Sequence, residues 1–433
     1  MTKWIDITDL MIWRGSFTGI QRVIYEYSVR LETDGARFFA YDELVDRFFE
    51  VTLADVEERS RDIAGAMVGR VTRRHKLRLM LGGPYYRLSG RSKERLRPYV
   101  RVVNHVTRAI LHRIVVAKSF LFHEQVISVN SAFPDAVFEK GDLVVLLGAG
   151  WNSPIILQRI IETKEHVGIR LCQHINDILP IYQPQLFAEE LSVKFGEYMA
   201  VAIKSADIIT VISQATKSDI ETYCTEHEIK QPKIRVVRLG DNPISSATSA
   251  KPQSFDAAEF ILAVGTFEVR KNYQLIYQAV KLAQIEQREI PPIVIAGRPG
   301  WLSGDLRHLI NHDPYAKTRI TWLDKVSDTE LSWLYDNCMF TIFPSIAEGW
   351  GLPIAESLQH GKFCLSSGLS SMLEIGDGLV DYFLPYDPRE CMEKIHYYVA
   401  EKRYEEANKK VASQYRVFTW DESYAQLQDA LSY

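Results

Sequence analysis

Short apolar runs alternate with stretches of helical periodicity along much of the chain, and a break near the middle divides them into two series. That alternation is the signature of parallel α/β layers. Strands covered on both faces read as near-continuous apolar runs, and parallel strands need long, usually helical, crossovers. In the first series the expected strands lie near Trp4–Ile7, Leu143–Leu147, Arg170–Ile175, Ile208–Ile212 and Ile234–Arg238. Helical patterns cover Thr18–Glu32, Ile155–Thr163, Phe195–Lys204 and Gln214–Tyr223, with Ser213 placed to cap the last. Asp241–Asp256 is rich in Pro, Ser, Ala and Asn, lacks periodicity and reads as a linker. The second series has expected strands at Phe260–Val264, Ile293–Ala296, Ile320–Leu323, Phe340–Phe343 and Phe363–Ser366. Its helices are expected at Tyr273–Ala283, Asp328–Tyr335 and Pro353–Gln359. The fold class expected is α/β, with two facing doubly wound domains and a ligand cleft at the carboxyl ends of their strands. The expected domains are 1–240 and 241–415, with a helical insertion at 70–123 and a last helix within 416–433 returning to the first domain.

Charge narrows the function. The net charge is only −4 over 433 residues, which excludes a protein basic overall that coats nucleic acid. Between Arg70 and Lys118, however, fourteen Lys or Arg stand against one acid, Glu94. Val100, Val103, Val106, Ile110, Leu111 and Ile114 recur there at helical steps. Such a basic amphipathic segment suits an anionic membrane surface, and equally a solvated helix packed on its domain. No apolar run approaches the ~18–20 residues of a membrane span. Asp6 and Asp9 break any leader-like apolar stretch in Met1–Leu10, so a cytoplasmic protein is expected, peripheral on the membrane at most. The cysteines, Cys172, Cys224, Cys338, Cys364 and Cys391, are scattered and form no Cys-x-x-Cys pair, so neither a disulfide framework nor a zinc site is expected.

Four constellations could carry chemistry. After the expected strand Phe340–Phe343 comes Ser345-Ile-Ala-Glu348-Gly349-Trp350-Gly351-Leu352-Pro353-Ile-Ala-Glu356, ending at Gly361. Its glycines permit close approach of backbone to a ligand, and Pro353 suits a first helical turn. The following helix N-terminus offers free N–H groups to an anion. Glu348 is expected in the loop and Glu356 about one turn into the helix. Plain strand–loop–helix punctuation with two solvated glutamates would look the same. Gly265-Thr-Phe-Glu-Val-Arg270-Lys271-Asn272 follows the strand Phe260–Val264. Arg270, as a bidentate fork, and Lys271, as a compact charge, suit a diphosphate. Gln173-His174-Ile-Asn-Asp177 ends a strand of the first series and could equally be structural. Arg14-Gly15-Ser-Phe-Thr-Gly19 follows the first strand and allows a loop close to a phosphate.

Taken in order, these segments resemble the GT4 family of retaining glycosyltransferases, bacterial mannosyltransferase-like members in particular. The resemblance rests on GTFEVRKN, AGRPGW, DKVSDTELSWLYDNC and the Glu-x7-Glu of EGWGLPIAESLQHG. QHINDILPIYQPQLF, ADIITVISQATKSDI and KIRVVRLGDN extend it through the first series. It implies a GT-B fold of two Rossmann-like domains, with the donor nucleotide on the second and the acceptor mainly on the first. It also implies that Glu356 holds the ribose hydroxyls and Glu348 those of the donor sugar, while Arg270 and Lys271 neutralise the leaving diphosphate. Gly19, Gly265, Gly349, Trp350, Gly351 and Leu352 complete the expected donor site. His174 and Asp177 are both candidates for the anomeric centre. The chain departs from the pattern at Thr266, where many members carry Arg, at Asn176 before Asp177, and in lacking a Gly-Gly pair in the first loop.

The resulting expectation is a retaining hexosyltransferase moving a hexose, first among candidates mannose from GDP-mannose, onto a glycan or lipid-linked glycan in bacterial surface polysaccharide assembly. No Asp-x-Asp occurs, so no metal and no cofactor are expected, the nucleotide diphosphate sugar being a substrate. The alternatives are a GT-B sugar-phosphate synthase or nucleotide-sugar epimerase, and a non-catalytic glycan-binding or scaffold member.

Overall fold

The computed structural model describes residues 1–13, 19–42, 46–58, 133–241, 249–252, 255, 259–376 and 378–432. The basic stretch Arg70–Lys118, the loop Arg14–Thr18 and most of the expected linker lie outside them.

Thirteen described strands form two sheets. The seven-stranded sheet has the order β3-β2-β1-β4-β5-β6-β7, and the six-stranded sheet β10-β9-β8-β11-β12-β13. In the first, the strands are β1 Lys3–Asp6, β2 Arg37–Asp42, β3 Arg47–Val51, β4 Leu143–Leu146, β5 Arg170–Ile175, β6 Ile208–Val211 and β7 Lys233–Val236. In the second they are β8 Ile261–Val264, β9 Ile293–Ala296, β10 Ile320–Leu323, β11 Thr341–Phe343, β12 Cys364–Ser367 and β13 Val380–Phe383. By compactness the chain divides into residues 1–144 with 167–169, and residues 145–166 with 170–433.

In the first unit β1 pairs parallel with β2, and β2 pairs antiparallel with β3. Trp4, Phe39 and Phe48 stack edge to face around Phe138. Asp142 accepts from the Thr2 amide and the Trp4 indole, tying the start of β4 to β1. The sequence reading assigns neither β2 nor β3. Their short RFFAYD and RFFEV runs mix charge with aromatics because this hairpin lies at the sheet edge, where one side stays solvated.

In the second unit β5, β6 and β7 pair parallel, as do the described pairs of the six-stranded sheet, including β8–β9 and β11–β12. β4, β6, β9 and β12 are buried at every position, and in β4 and β9 this matches an unbroken apolar run. Ser213 caps the helix Gln214–Glu226, its hydroxyl accepting from the Thr216 amide, as the sequence predicts. The helix Gly304–His312 and the strand β13 are found where no element is expected. The last helix, Trp420–Leu431, starts with a Thr419/Glu422 capping box and lies against β6. Its approach requires Gly240, where any Cβ would fall 2.6 Å from the Trp420 ring.

Candidate active site

Three loops of the second unit build the site. The first follows β8. Gly265 sits at φ +146°, a backbone region that favours glycine, and its carbonyl accepts from the Tyr273 hydroxyl. Gly297, after β9, passes so close that a Cβ there would stand 1.9 Å from the Gly265 oxygen. The chain then makes a 3₁₀ turn, Val269–Lys271, before the helix Tyr273–Ile285. Asn272 takes a left-handed conformation between them and donates to the Pro344 and Pro385 carbonyls. Arg270 and Lys271 are thereby held at the end of β8.

The second loop follows β11. The Ile346 amide and the Ser345 hydroxyl both reach the Arg270 carbonyl, joining the two loops. Glu348 points back to the first loop and is only 8% exposed, so it is not a solvated glutamate. Its carboxylate takes Arg270 Nη1 at 2.5 Å, Lys271 Nζ at 2.6 Å and the Ser345 hydroxyl at 2.5 Å. Arg270 also donates from Nη1 to the Ala347 carbonyl at 2.9 Å and from Nη2 to Glu268 at 2.7 Å. The Ser371 hydroxyl lies 2.8 and 2.7 Å from the carbonyls of Glu348 and Trp350 and pins the loop from β12's side.

Burial alone would raise the Glu348 carboxyl, but Arg270, Lys271 and the hydrogen bonds from Lys271 and Ser345 outweigh it and bring it down to about 2. Burial pushes the Lys271 ammonium down, against the pull of Glu348. Burial also pushes Glu268 up, opposed by Arg270 and Lys271. The site therefore holds two fixed cations matched by two carboxylates, in a desolvated setting where charge–charge terms are large.

The third loop follows β5. Asp177 accepts from the Leu179 amide, and burial pushes it up against the field of Arg270, with Glu348 adding to the rise. The chain here leaves no room at Gly349. A Cβ at that position would lie 2.5 Å from the Asn176 carbonyl oxygen and 3.1 Å from the Asp177 side chain. Asp177, Glu348, Arg270 and Lys271 thus share one electrostatic neighbourhood. His174 is engaged elsewhere: its Nδ1 lies 2.9 Å from the Thr210 hydroxyl on β6, and burial pushes its pKa down to about 4, leaving it neutral. Gly19, at φ +55°, caps the helix Ile20–Thr33 in the first unit.

Gly351, at φ +131°, is the N-cap of the helix Leu352–Gln359, with Pro353 in its first turn and Gly361 just beyond its end. Glu356 lies on this helix and accepts from the Tyr335 hydroxyl at 2.9 Å. Trp350 is buried under the Arg238 guanidinium, 5.4 Å from its ring centroid. The Trp301 indole donates to the Leu186 carbonyl. Sequence reasoning singles out neither Glu268, Ser345, Ser371, Tyr335 nor Arg238 as a site residue. Glu268 and Ser345 lie inside the quoted motifs, so a charge next to Arg270 and a hydroxyl three residues before Glu348 were the available signals. The others arrive from distant segments. Among the described residues no group of three His, Cys, Asp or Glu side chains could hold a metal ion.

Two sheets rich in parallel pairs, with a cation pair after one strand and a Glu-x7-Glu loop and helix after another, have the GT-B fold. Residues 245–412 match the family model described as glycosyl transferases group 1. The chain is 25% identical to the serotype-specific mannosyltransferase WbdA of Escherichia coli over 279 residues, 61% of this chain and 34% of WbdA. It is 28% identical to the O-antigen chain mannosyltransferase B of Escherichia coli over 242 residues, 54% of this chain and 60% of that one. The chain therefore spans about a third of the WbdA length. The sucrose-phosphate synthase structure from Thermosynechococcus elongatus shares the fold, with a TM-score of 0.51 at 17% identity over 67% of this chain and 72% of that one.

Proposed function

We propose that the protein is a retaining hexosyltransferase that moves a hexose from a nucleotide diphosphate sugar to a glycan or lipid-linked glycan acceptor, with mannose from GDP-mannose the leading donor. The observation that carries this reading is the convergence of Arg270 and Lys271 on Glu348 at the ends of β8 and β11. A departing diphosphate gains negative charge as the glycosidic bond breaks, and cations fixed in a desolvated site stabilise that charge without reorganising. The donor sugar's hydroxyls would replace the cations as partners of Glu348, while Glu356 takes the ribose hydroxyls. Front-face displacement then has the leaving phosphate oxygen receive the acceptor hydroxyl's proton. Asp177, beside Arg270, is better placed than His174 to face the anomeric centre, because it shares the field of the cations. The mannosyl donor and the setting in O-antigen-type polysaccharide assembly are supported by likeness to the mannosyltransferases named above.

A screen of GDP- and UDP-sugars with a mannan-type acceptor tests the reading. Transfer from GDP-mannose with an α-linked product by NMR, undiminished by EDTA, is the expected result. An inverted anomeric configuration would overturn the retaining mechanism, and loss of transfer with EDTA would overturn metal independence. We further propose that the basic stretch Arg70–Lys118 docks on anionic lipid, supported by its charge in the sequence. Co-sedimentation with phosphatidylglycerol vesicles should then weaken as salt rises, and binding indifferent to salt would count against it.

A further inference from the structure

We infer that Tyr335 is a positioning residue for the nucleotide site: its buried hydroxyl clamps one carboxylate oxygen of Glu356 so that the other is presented, pre-oriented, to the ribose hydroxyls of the donor. The inference rests on the reading of Glu356 as the ribose-binding carboxylate.

Tyr335 ends the amphipathic stretch of the helix Asp328–Asn337 and is 2% exposed. Its ring belongs to the apolar cluster that includes Phe260, Leu334 and Cys338 under the six-stranded sheet. A tyrosine in such a place needs a partner for its hydroxyl, because an unmet polar group in the core costs stability. The partner is Glu356 Oε2 at 2.9 Å, 21 residues further along the chain. Burial and the Glu356 charge both push the phenol up, so it remains a proton donor throughout the working pH range.

The clamp is itself braced. His360 stacks on the Tyr335 ring at 5.0 Å and 10°, and its Nδ1 lies 2.7 Å from Asp336. The His360 amide donates to the Glu356 carbonyl. Tyr335 and Asp336 therefore grip the helix Leu352–Gln359 at both Glu356 and its C-cap, His360. Among the described residues Oε1 of Glu356 accepts no hydrogen bond, and it is the atom left for a ligand. A glutamate side chain has several rotatable bonds, and freezing them on binding is costly. A tyrosine that freezes them beforehand lowers that cost for any ligand Oε1 touches, and for no other.

This selectivity is the test. Affinities of the full chain are measured calorimetrically for GDP and UDP and for their 2′-deoxy and 3′-deoxy forms, in wild type, Tyr335→Phe, Glu356→Ala and the double variant. Tyr335→Phe removes one oxygen and keeps the ring in its cluster. The wild type should prefer the ribonucleotide by about tenfold or more, in line with one charge-assisted hydrogen bond. Tyr335→Phe should bring that ratio most of the way to unity while leaving the deoxynucleotide affinity unchanged, and should have no further effect in the Glu356→Ala background. An unchanged ratio in Tyr335→Phe, including an equal loss for both nucleotides, would overturn the inference and leave the Glu356 reading standing. A wild type with no ribo-over-deoxy preference would overturn the Glu356 reading, and the inference with it. Should Tyr335→Phe fail to fold, His360→Ala, which removes the ring's stacking partner together with the Asp336 contact, must lower the ratio as well, and an unchanged ratio there overturns the inference.

Discussion

Glu348→Gln is expected to destabilise the empty protein and, at the same time, to make its site a better receptor for a diphosphate. Glu348 takes hydrogen bonds from Arg270 and Lys271 at 2.5 and 2.6 Å while almost fully buried. Its carboxyl stands at about 2 against an ordinary 4.5. That difference corresponds to about 3 kcal/mol favouring the charged form, at roughly 1.4 kcal/mol per pK unit. It agrees with the ~3–5 kcal/mol lost when one partner of a buried ion pair is removed. The lower end applies here, because burial already pushes Lys271 down and it can shed its proton when its partner is gone. At roughly 2–4 °C per kcal/mol, the melting temperature should fall by about 6–12 °C. Glutamine keeps the shape of the side chain but leaves Arg270 and Lys271 with one carboxylate, Glu268, so a bound diphosphate can supply the missing negative charge and hold Lys271 protonated. Inorganic pyrophosphate should therefore stabilise the variant more than the wild type, and at ~100 times its Kd should restore about 2.7 kcal/mol. Thermal melts of both proteins over a pyrophosphate series are the assay. A variant that melts with the wild type, or that gains no more from pyrophosphate than the wild type does, would refute the view that Glu348 occupies the cations in the empty site.

Lys271→Ala should weaken nucleoside diphosphate binding ~10–100-fold, the loss of one charge-assisted hydrogen bond, as read by calorimetry with GDP. Unchanged affinity would remove Lys271 from the phosphate site. Gly349→Ala should abolish sugar transfer with only a modest change in melting temperature, since the new methyl would push the Glu348 loop off the Asn176 carbonyl. Full transfer activity in this variant would show that the close approach is dispensable. His174, neutral and held near pKa 4 against an ordinary 6.5, binds fewer protons folded than unfolded between those values. Its contribution is thus complete above about pH 6.5 and lost as pH falls toward 4, by up to about 3 kcal/mol. Denaturant melts from pH 7 to 4 should show this slope in the wild type and a shallower one in His174→Gln, and equal slopes would contradict it.

Much of the fold is legible in the chain because burial on both faces writes itself into short sequence windows. β5, β9 and β10 begin and end where their apolar runs do, and β8, β11 and the helix Leu352–Gln359 are displaced by a single residue at one end. The hairpin β2–β3 at the sheet edge escapes that logic, since charged residues and half-buried positions interrupt both strands and no continuous apolar run marks them. The site is legible in its main-chain frame for a similar reason. Gly265, Gly349, Gly351 and Pro353 are local requirements of loops and helix starts, and the charges beside them stand out against that background.

What the sequence by itself determines is therefore most of the buried strands and the helices that follow them, and the two strand–loop–helix units that carry Arg270, Lys271, Glu348 and Glu356. Only the tertiary structure decides what those side chains do when the site is empty. It turns Glu348 from one of two apparent glutamates on a loop into the shared counter-charge of two cations 77 and 78 residues away. It sets Glu268 on Arg270, Asp177 against Gly349, His174 on Thr210 and Tyr335 on Glu356. All but the first of these link separate elements, and the periodicity and spacing that define each element carry no term for its neighbour. The pairing is fixed when the parallel sheet brings their strand ends side by side.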